Sequence, residues 1–172
     1  LGAIMLGNEP AKESYMMEKP RRRDENIISK NMAIQILSMG LWLTVLSFIY
    51  LKAPFFGNMF EGNEEELLTG YFVLFIVSAL FNGFNVRDEG FGIFKSLNEN
   101  KGFLRVFFAI IIVQALIVNA GAIPLVPFQF IGKMFSCVPF SITGWVTVFI
   151  LAFTMIPIDL LRKVVMGTYK NA

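Results

Sequence analysis

The chain has 172 residues, of which 55% are hydrophobic and 16% are charged, and its mean hydropathy is +0.61. Soluble domains carry about 25% charged residues, so this composition excludes an ordinary soluble protein and indicates an integral membrane protein. A single cysteine excludes an intrachain disulfide, and the absence of histidine removes the usual imidazole-based metal sites and general bases.

The first 30 residues differ in character from the rest of the chain. Residues 1–7 are apolar but too short to span a bilayer, and no signal-peptide pattern follows Leu1. We therefore expect a piece of a longer protein, in which residues 1–7 end a helix that is otherwise missing. Residues 8–30 contain two prolines and a run of three arginines, which predicts a polar loop beside the membrane. Such a run favours a topology signal; the alternative is docking to anionic lipid or to another part of the protein.

Four uncharged stretches follow, each close to the roughly 20 residues that a helix needs to cross a bilayer. They predict an all-α integral membrane domain over residues 31–172 with four transmembrane helices. The predicted spans are approximately residues 31–51, 67–86, 103–122 and 141–161. Residues 52–66 are expected to form a short acidic connecting loop. Prolines at 124 and 127 predict an exit loop after the third span.

The second span carries polar residues that are unusual on a lipid-facing helix. Ser78, Asn82 and Asn85 recur at intervals of four and three, so a helix places them on one stripe. Amide and hydroxyl groups in a bilayer usually find partners on neighbouring helices. We expect this stripe to face protein, and Ser78 and Asn82 are the candidate metal ligands. The sequence predicts no catalytic and no cofactor-binding residue.

Polar positions in the third and fourth spans have structural interpretations. Gln114, in the middle of the third span, favours an interhelical hydrogen bond. Asp159 precedes Arg162 and Lys163 by three and four residues, which predicts local ion pairing. This basic pair is expected at one membrane interface and Trp145 at the other.

The distribution of Lys and Arg predicts the orientation of the chain. With four spans both termini lie on one side, and 13 of the 15 basic residues lie on that side. Only Lys52 and Lys133 lie on the other. By the positive-inside rule both termini are cytoplasmic. Residues 87–101, between the second and third spans, are expected to form an amphipathic or irregular link at the membrane surface.

Three segments resemble P-type cation-transporting ATPases. The first resembles the loop that follows the sixth transmembrane helix of these pumps, through Leu1, Ala3, Leu6, Glu9, Pro10, Met17, Lys19, Pro20, Arg21, Ile28 and Ser29. LFNGFNVR at residues 80–87 and FSCVPFSITGW at residues 135–145 resemble the plasma-membrane calcium pump branch. The chain is thus similar to the C-terminal transmembrane domain of such a pump, its seventh to tenth helices, and most like bacterial and plasma-membrane-type calcium pumps.

The resemblance implies a membrane support domain that packs beside the transport helices of an ATP-driven cation pump, with calcium as the expected cation. It implies ATP, magnesium and calcium for the parent pump and none of these as a cofactor in this fragment, which lacks the Asp-Lys-Thr-Gly-Thr phosphorylation motif. The implied partners are the lipid bilayer and the remaining helices and cytoplasmic domains of the same pump, without nucleic acid. The implied location is the plasma or inner membrane. A free-standing small membrane scaffold or assembly subunit is the alternative.

One departure from part of the family concerns Ala79. Endoplasmic-reticulum-type calcium pumps resemble this chain around Asn82 but carry a Glu at the position of Ala79. A methyl group cannot ligate calcium, which takes six to eight oxygen ligands. The resemblance therefore implies one calcium per ATP in the parent pump; the alternative is that Ala79 is simply a packing contact. Because the cation is inferred by resemblance, manganese or a monovalent ion is also open.

Overall fold

The computed structural model describes residues 6–7, 17, 28–87, 91–93, 97 and 100–167. The regular elements within these ranges are helical. They are labelled α1 (Lys30–Lys52), α2 (Pro54–Met59), α3 (Glu64–Val86), α4 (Lys101–Asn119), α5 (Val126–Phe135), α6 (Ile142–Phe153) and α7 (Met155–Met166). A 3-10 turn, Ala120–Ala122, extends α4. The expected loop over residues 1–30 and the expected link over residues 87–101 lie mostly outside the described residues.

Four helices in the described part of the chain are long and apolar enough to cross a membrane, which confirms the predicted fold class. They are Lys30–Lys52, Glu64–Val86, Lys101–Ala122 and Ile142–Met166. Several of these helices begin before the uncharged stretch from which the span was predicted. α3, for example, includes three glutamates in its first turn, where carboxylates interact favourably with the positive end of the helix dipole. The Asn63 side chain caps this end by accepting hydrogen bonds from the backbone N–H groups of Glu65 and Glu66.

The expectation of plain loops after the first and third spans is wrong. The first connection contains the six-residue helix α2, and the second contains the ten-residue helix α5. Pro54 and Pro127 stand in the first turns of these helices. A proline is tolerated there because the backbone N–H that it lacks would have no intrahelical partner.

Helix α5 folds back against the end of α4. A Cβ on Gly132 would lie only 2.7 Å from the backbone nitrogen of Gly121, so the two backbones touch. The opposite side of α5 is an exposed apolar stripe made of Val126, Phe130 and Met134. This short helix therefore has one face on the bundle and one apolar face outside it.

The fourth span is interrupted at Thr154, where α6 and α7 meet. Pro157 has no N–H to donate to the carbonyl of Phe153, and its ring crowds that turn, which is a known cause of helix breaks. The Thr154 hydroxyl donates to the carbonyl of Leu151 at 2.6 Å and accepts from Nε1 of Trp42 at 3.1 Å. The break is thus held against α1 by a hydrogen bond.

Helix α3 is the centre of the bundle and packs against α1, α4, α6 and α7. One core cluster lies around its first half and includes Tyr50, Val73, Phe140 and Val148. A second cluster joins α3 to α4 and consists of Leu80, Phe84, Phe103 and Phe107. The Phe81 ring connects α3 to α4 and α6 through edge-to-face contacts with the rings of Phe107, Phe149 and Phe153, at centroid distances of 5.8–6.4 Å.

Candidate functional site

The polar stripe of α3 faces the protein interior, as expected. Ser78 is 0% exposed and Asn85 is 1% exposed, whereas Asn82 is half-buried at the edge of the stripe. The stripe lies in the second half of α3, where α1 begins and α7 ends. Sequence spacing alone located this site because the 3.6-residue helical period brings the three positions together.

Asn85 is the hub of the hydrogen-bond network at this end of the bundle. Its Nδ2, which has two hydrogens to donate, lies 2.9 Å from the backbone carbonyl of Met155, 3.3 Å from Oδ1 of Asn82 and 3.7 Å from Sδ of Met39. The backbone carbonyl of Asn85, in the last turn of α3, accepts hydrogen bonds from Nε2 of Gln35 at 3.4 Å and from Nζ of Lys163 at 3.3 Å. Carbonyls in the last turn of a helix have no intrahelical partner, so these donors satisfy a buried acceptor.

The ion pairing predicted for Asp159 is present. Arg162 Nε lies 2.7 Å from Oδ1 of Asp159, and Lys163 Nζ lies 3.1 Å from Oδ2. The Lys163 side chain is fully buried within the described structure. The expected position of the basic pair at a membrane interface stays a prediction, because burial in the protein does not fix depth in the bilayer. The Lys163 ammonium turns inward because the Asp159 carboxylate and the Asn85 carbonyl both lie within reach there.

A cavity of about 540 Å³ lies between α1, α3 and α7. Its polar residues are at one end of the bundle, and its apolar residues come mainly from α1. The lining residues are Asn31, Met32, Gln35, Ile36, Met39, Gly40, Leu43, Ala79, Asn82, Asn85, Val86, Met155, Arg162 and Lys163. Cavities of about 300–1,000 Å³ are typical of small-molecule sites in proteins.

The two candidate metal ligands are not brought together on this cavity. Asn82 lines it, but its Oδ1 accepts a hydrogen bond from Asn85, and Ser78 is not among the lining residues. The buried Ser78 hydroxyl has no hydrogen-bond partner among the described residues. Those residues also contain no group of three or more His, Cys, Asp or Glu side chains that could hold a metal ion. The role of Asn82 and Ser78 as metal ligands therefore stays a prediction.

The hydrogen bond expected for Gln114 is not present within the described part of the chain. Its side chain is buried, yet Nε2 lacks a partner there. The described contact between α3 and α4 is made largely by phenylalanine rings, which offer no acceptor of the kind an amide prefers.

Polar contacts between distant segments could not be predicted from spacing. Glu66, near the start of α3, accepts a hydrogen bond from the backbone N–H of Ser141 at 3.1 Å, and the hydroxyl of Thr69 accepts from the N–H of Val138 at 3.1 Å. These bonds fix the segment that leads into α6. Their only sequence signal is a polar side chain at the end of a span, which also fits simple exposure to water.

The family model described as "Cation transporting ATPase, C-terminus" matches residues 1–165. Plasma membrane calcium-transporting ATPase 1 of Oryctolagus cuniculus is 29% identical over 155 residues, which is 84% of this chain and 12% of that protein. Plasma membrane calcium-transporting ATPase 3 of Rattus norvegicus is 27% identical over 151 residues, 83% of this chain and 11% of that protein.

A plant relative matches nearly the whole chain. Calcium-transporting ATPase 5, plasma membrane-type, of Oryza sativa subsp. japonica is 26% identical over 171 residues, 96% of this chain and 15% of that protein. The chain thus spans only 11–15% of the length of these relatives. With its four membrane-crossing helices and a match over residues 1–165, this multi-pass membrane chain belongs to the family of cation-transporting ATPase C-terminal regions.

Proposed function

We propose that this chain is the support domain of an ATP-driven calcium pump of the plasma or inner membrane, and that it packs beside the transport helices of that pump. The observation that carries the proposal is family membership together with a bundle whose buried polar side chains mainly form hydrogen bonds and ion pairs within the bundle. Lys163 on α7 donates to the backbone carbonyl of Asn85 on α3 and is paired with Asp159 on its own helix. A domain with such contacts stabilises neighbouring helices and contributes few side chains to catalysis or ion binding.

ATP and magnesium would be held by other parts of such a pump. The sequence has no Asp-Lys-Thr-Gly-Thr motif and no Gly-rich phosphate loop. Calcium is the transported substrate, and Asn82 is the residue of this chain best placed to face it, since it is half-buried beside a cavity. Ala79 lines the same cavity and offers no oxygen ligand, which supports one calcium per ATP.

The test uses the full-length protein that contains this chain. We expect ATP-dependent calcium uptake into inverted membrane vesicles and an acid-stable phosphoenzyme, whereas the 172-residue chain alone should give neither. Uptake of a different cation without calcium uptake would refute the substrate. Phosphate incorporated into the isolated chain would refute the support role.

The calcium stoichiometry gives a second, quantitative test. The ratio of calcium transported to ATP hydrolysed by the full-length protein should be close to one. A ratio close to two that is insensitive to Ser78→Ala and Asn82→Leu would contradict both the stoichiometry and the part assigned to α3.

A further inference from the structure

The first half of the fourth span, helix α6, is tightly enclosed. Val148, in the middle of α6, is fully buried, and a Cβ on Gly144 would lie only 2.6 Å from the Phe140 ring. The start of the helix is also held, because the backbone N–H of Ser141 donates a hydrogen bond to the Glu66 carboxylate at 3.1 Å. These contacts fix the position and the tilt of α6 in the bundle.

The second half of the span, helix α7, borders open space. Met155, Arg162 and Lys163 line the cavity between α1, α3 and α7 from its side. The outer surface of its last turns is exposed, with Leu161 at 59% and Val165 at 78%. The far end of α7 therefore has room to move that α6 does not have.

The junction between the two halves has a weakened backbone. Pro157 cannot donate a hydrogen bond to the carbonyl of Phe153, and prolines are a common cause of sharp kinks. The N–H of Thr154 donates to the carbonyl of Leu151, three residues earlier, at 3.1 Å. This is the spacing of a 3-10 turn, which within a helix often marks a hinge.

Two side chains from other helices hold the junction in place. Nε1 of Trp42 on α1 donates to the hydroxyl of Thr154 at 3.1 Å. Nδ2 of Asn85 on α3 lies 2.9 Å from the carbonyl of Met155, the first residue of α7. Both hydrogen bonds act at the junction itself, so they set the angle at which α7 leaves α6.

Asn85 can release Met155 and keep its Nδ2 hydrogens bonded. Nδ2 has two hydrogens and lies near three acceptors, so Asn82 and Met39 can take both hydrogens when the Met155 carbonyl withdraws. Oδ1 of Asn85 is buried and has no hydrogen-bond partner among the described residues, which is a costly arrangement. The amide of Gln35, which lines the same cavity, offers a donor to this oxygen when the cavity narrows.

The buried charges of α7 do not oppose such a motion. Asp159 is paired with Arg162 and Lys163 of the same helix, so this cluster moves with α7 as one unit. The hydrogen bond from Lys163 to the Asn85 carbonyl is 3.3 Å long, against a usual length of about 2.9–3.0 Å. Tilting α7 therefore separates no charges of this cluster.

We propose that residues 154–157 form a hinge in the fourth span. About this hinge the far end of α7 swings toward α1 and narrows the cavity, while α6 stays in place. The hydrogen bonds from Trp42 and Asn85 to the junction hold α7 in the position described above. The motion is internal to the bundle and does not depend on the transported ion, so the proposal can fail while the proposed function stands.

The test is a distance measurement between two spin labels on the full-length protein in lipid nanodiscs, in a background without other reactive cysteines. Labels at Leu37 on α1 and Val165 on α7, both exposed, report the position of α7. We expect one main distance and a shorter minor distance. Trp42→Phe removes the indole donor and keeps an aromatic ring, so it should raise the ratio of the shorter to the main distance about fivefold, the effect of one hydrogen bond.

Three further variants separate the hinge from a general effect on folding. Thr154→Val removes the acceptor of the same hydrogen bond and should act like Trp42→Phe. Trp145→Phe is the matched control, because this indole on α6 packs against Phe149 and should leave the ratio unchanged. Pro157→Ala restores the missing backbone N–H and should remove the shorter distance, also when combined with Trp42→Phe.

A second pair of labels, at the exposed Leu68 on α3 and Val146 on α6, reports the part that stays fixed and should give one distance in every variant. Three results would overturn the proposal. A single, unchanged distance between α1 and α7 in Trp42→Phe would show that α7 is rigid. Equal broadening for the second pair would show that the whole bundle loosens. A shorter distance that persists in Pro157→Ala would place the pivot elsewhere.

Discussion

Gly70 lies where α3 approaches its neighbours too closely for any side chain. A Cβ at this position would overlap the hydroxyl of Tyr50 and lie 2.8 Å from Cζ of Phe140. Both rings are in the core, at 0% and 6% exposure. Glycine inside a helix is less stable than alanine by about 0.5–1 kcal/mol, so its presence here is explained by the contact and not by helix formation.

Gly70→Ala should therefore destabilise the bundle by about 1–3 kcal/mol, the usual effect of overpacking a core. Gly40→Ala, also inside a helix but in open space, should be neutral or slightly stabilising. Thermal unfolding of the two variants in detergent gives the comparison. Equal melting temperatures would show that Tyr50 and Phe140 can move aside.

Cys137, in the segment before α6, should react slowly with alkylating reagents. Burial raises the pKa of its thiol, and a hydrogen bond with the Thr69 side chain lowers it by less. A raised pKa means that less of the reactive thiolate exists at neutral pH, so alkylation should accelerate only above the pH at which an ordinary thiol ionises. Peptide mass spectrometry after timed iodoacetamide treatment at several pH values measures this rate.

The control for this experiment is Glu64→Cys in a Cys137→Ala background, because Glu64 is exposed. The introduced cysteine should follow the pH profile of a free thiol. Matching profiles for the two positions would contradict the buried environment assigned to Cys137.

At the scale of elements, the buried charges join α7 to α3. Lys163 reaches the carbonyl of Asn85 on α3 while paired with Asp159 on its own helix. Removing one partner of a buried ion pair leaves an uncompensated charge, which costs about 3–5 kcal/mol. Removing both Asp159 and Lys163 leaves neither charge of the pair buried, so the loss of stability is smaller.

Asp159→Leu is thus expected to lower the melting temperature strongly, and the double variant Asp159→Leu/Lys163→Met is expected to recover part of the loss. Glu64→Leu removes an exposed carboxylate and serves as the control. Melting curves of the full-length protein test the coupling. A double variant less stable than Asp159→Leu would show that Lys163 contributes mainly through its bond to Asn85.

The helices α2 and α5 show where prediction from sequence was limited. The four long spans were predictable because an uncharged stretch of about 20 residues is a local property of the chain. The prolines at 54 and 127 predict loops, although each stands in the first turn of a short helix. Proline is compatible with both situations, and the choice depends on packing such as that of Gly132 against α4, which spacing does not reveal.

For the whole molecule, the uneven distribution of basic residues predicts how the bundle is inserted. A cysteine introduced at Glu64 should be labelled by a membrane-impermeant reagent from outside the cell, and one introduced at Asn98 should not. Both cysteines should be labelled after permeabilisation, which controls for reactivity. Labelling of intact cells at Asn98 alone would reverse the orientation.

The candidate site was only partly predictable at this scale. The spacing of Ser78, Asn82 and Asn85 located a protein-facing stripe, and the spacing of Asp159 and Lys163 identified their pairing. The meeting of these two groups at the Asn85 carbonyl depends on how α3 packs against α7, 78 residues later in the chain. The cavity beside them results from three helices at once, so no single stretch of sequence contains its signal.

The exposed apolar stripe of α5 gives the bundle a means of fixing its depth in the bilayer. With ten residues α5 is too short to cross, and helices with one apolar face settle at the boundary between head groups and acyl chains. Because Gly132 holds α5 directly against the end of α4, vertical sliding of the bundle would pull this stripe out of its preferred layer. In a membrane of different thickness the surrounding lipid would therefore deform, at a cost of fractions of a kcal/mol per Å, while the helices keep their level.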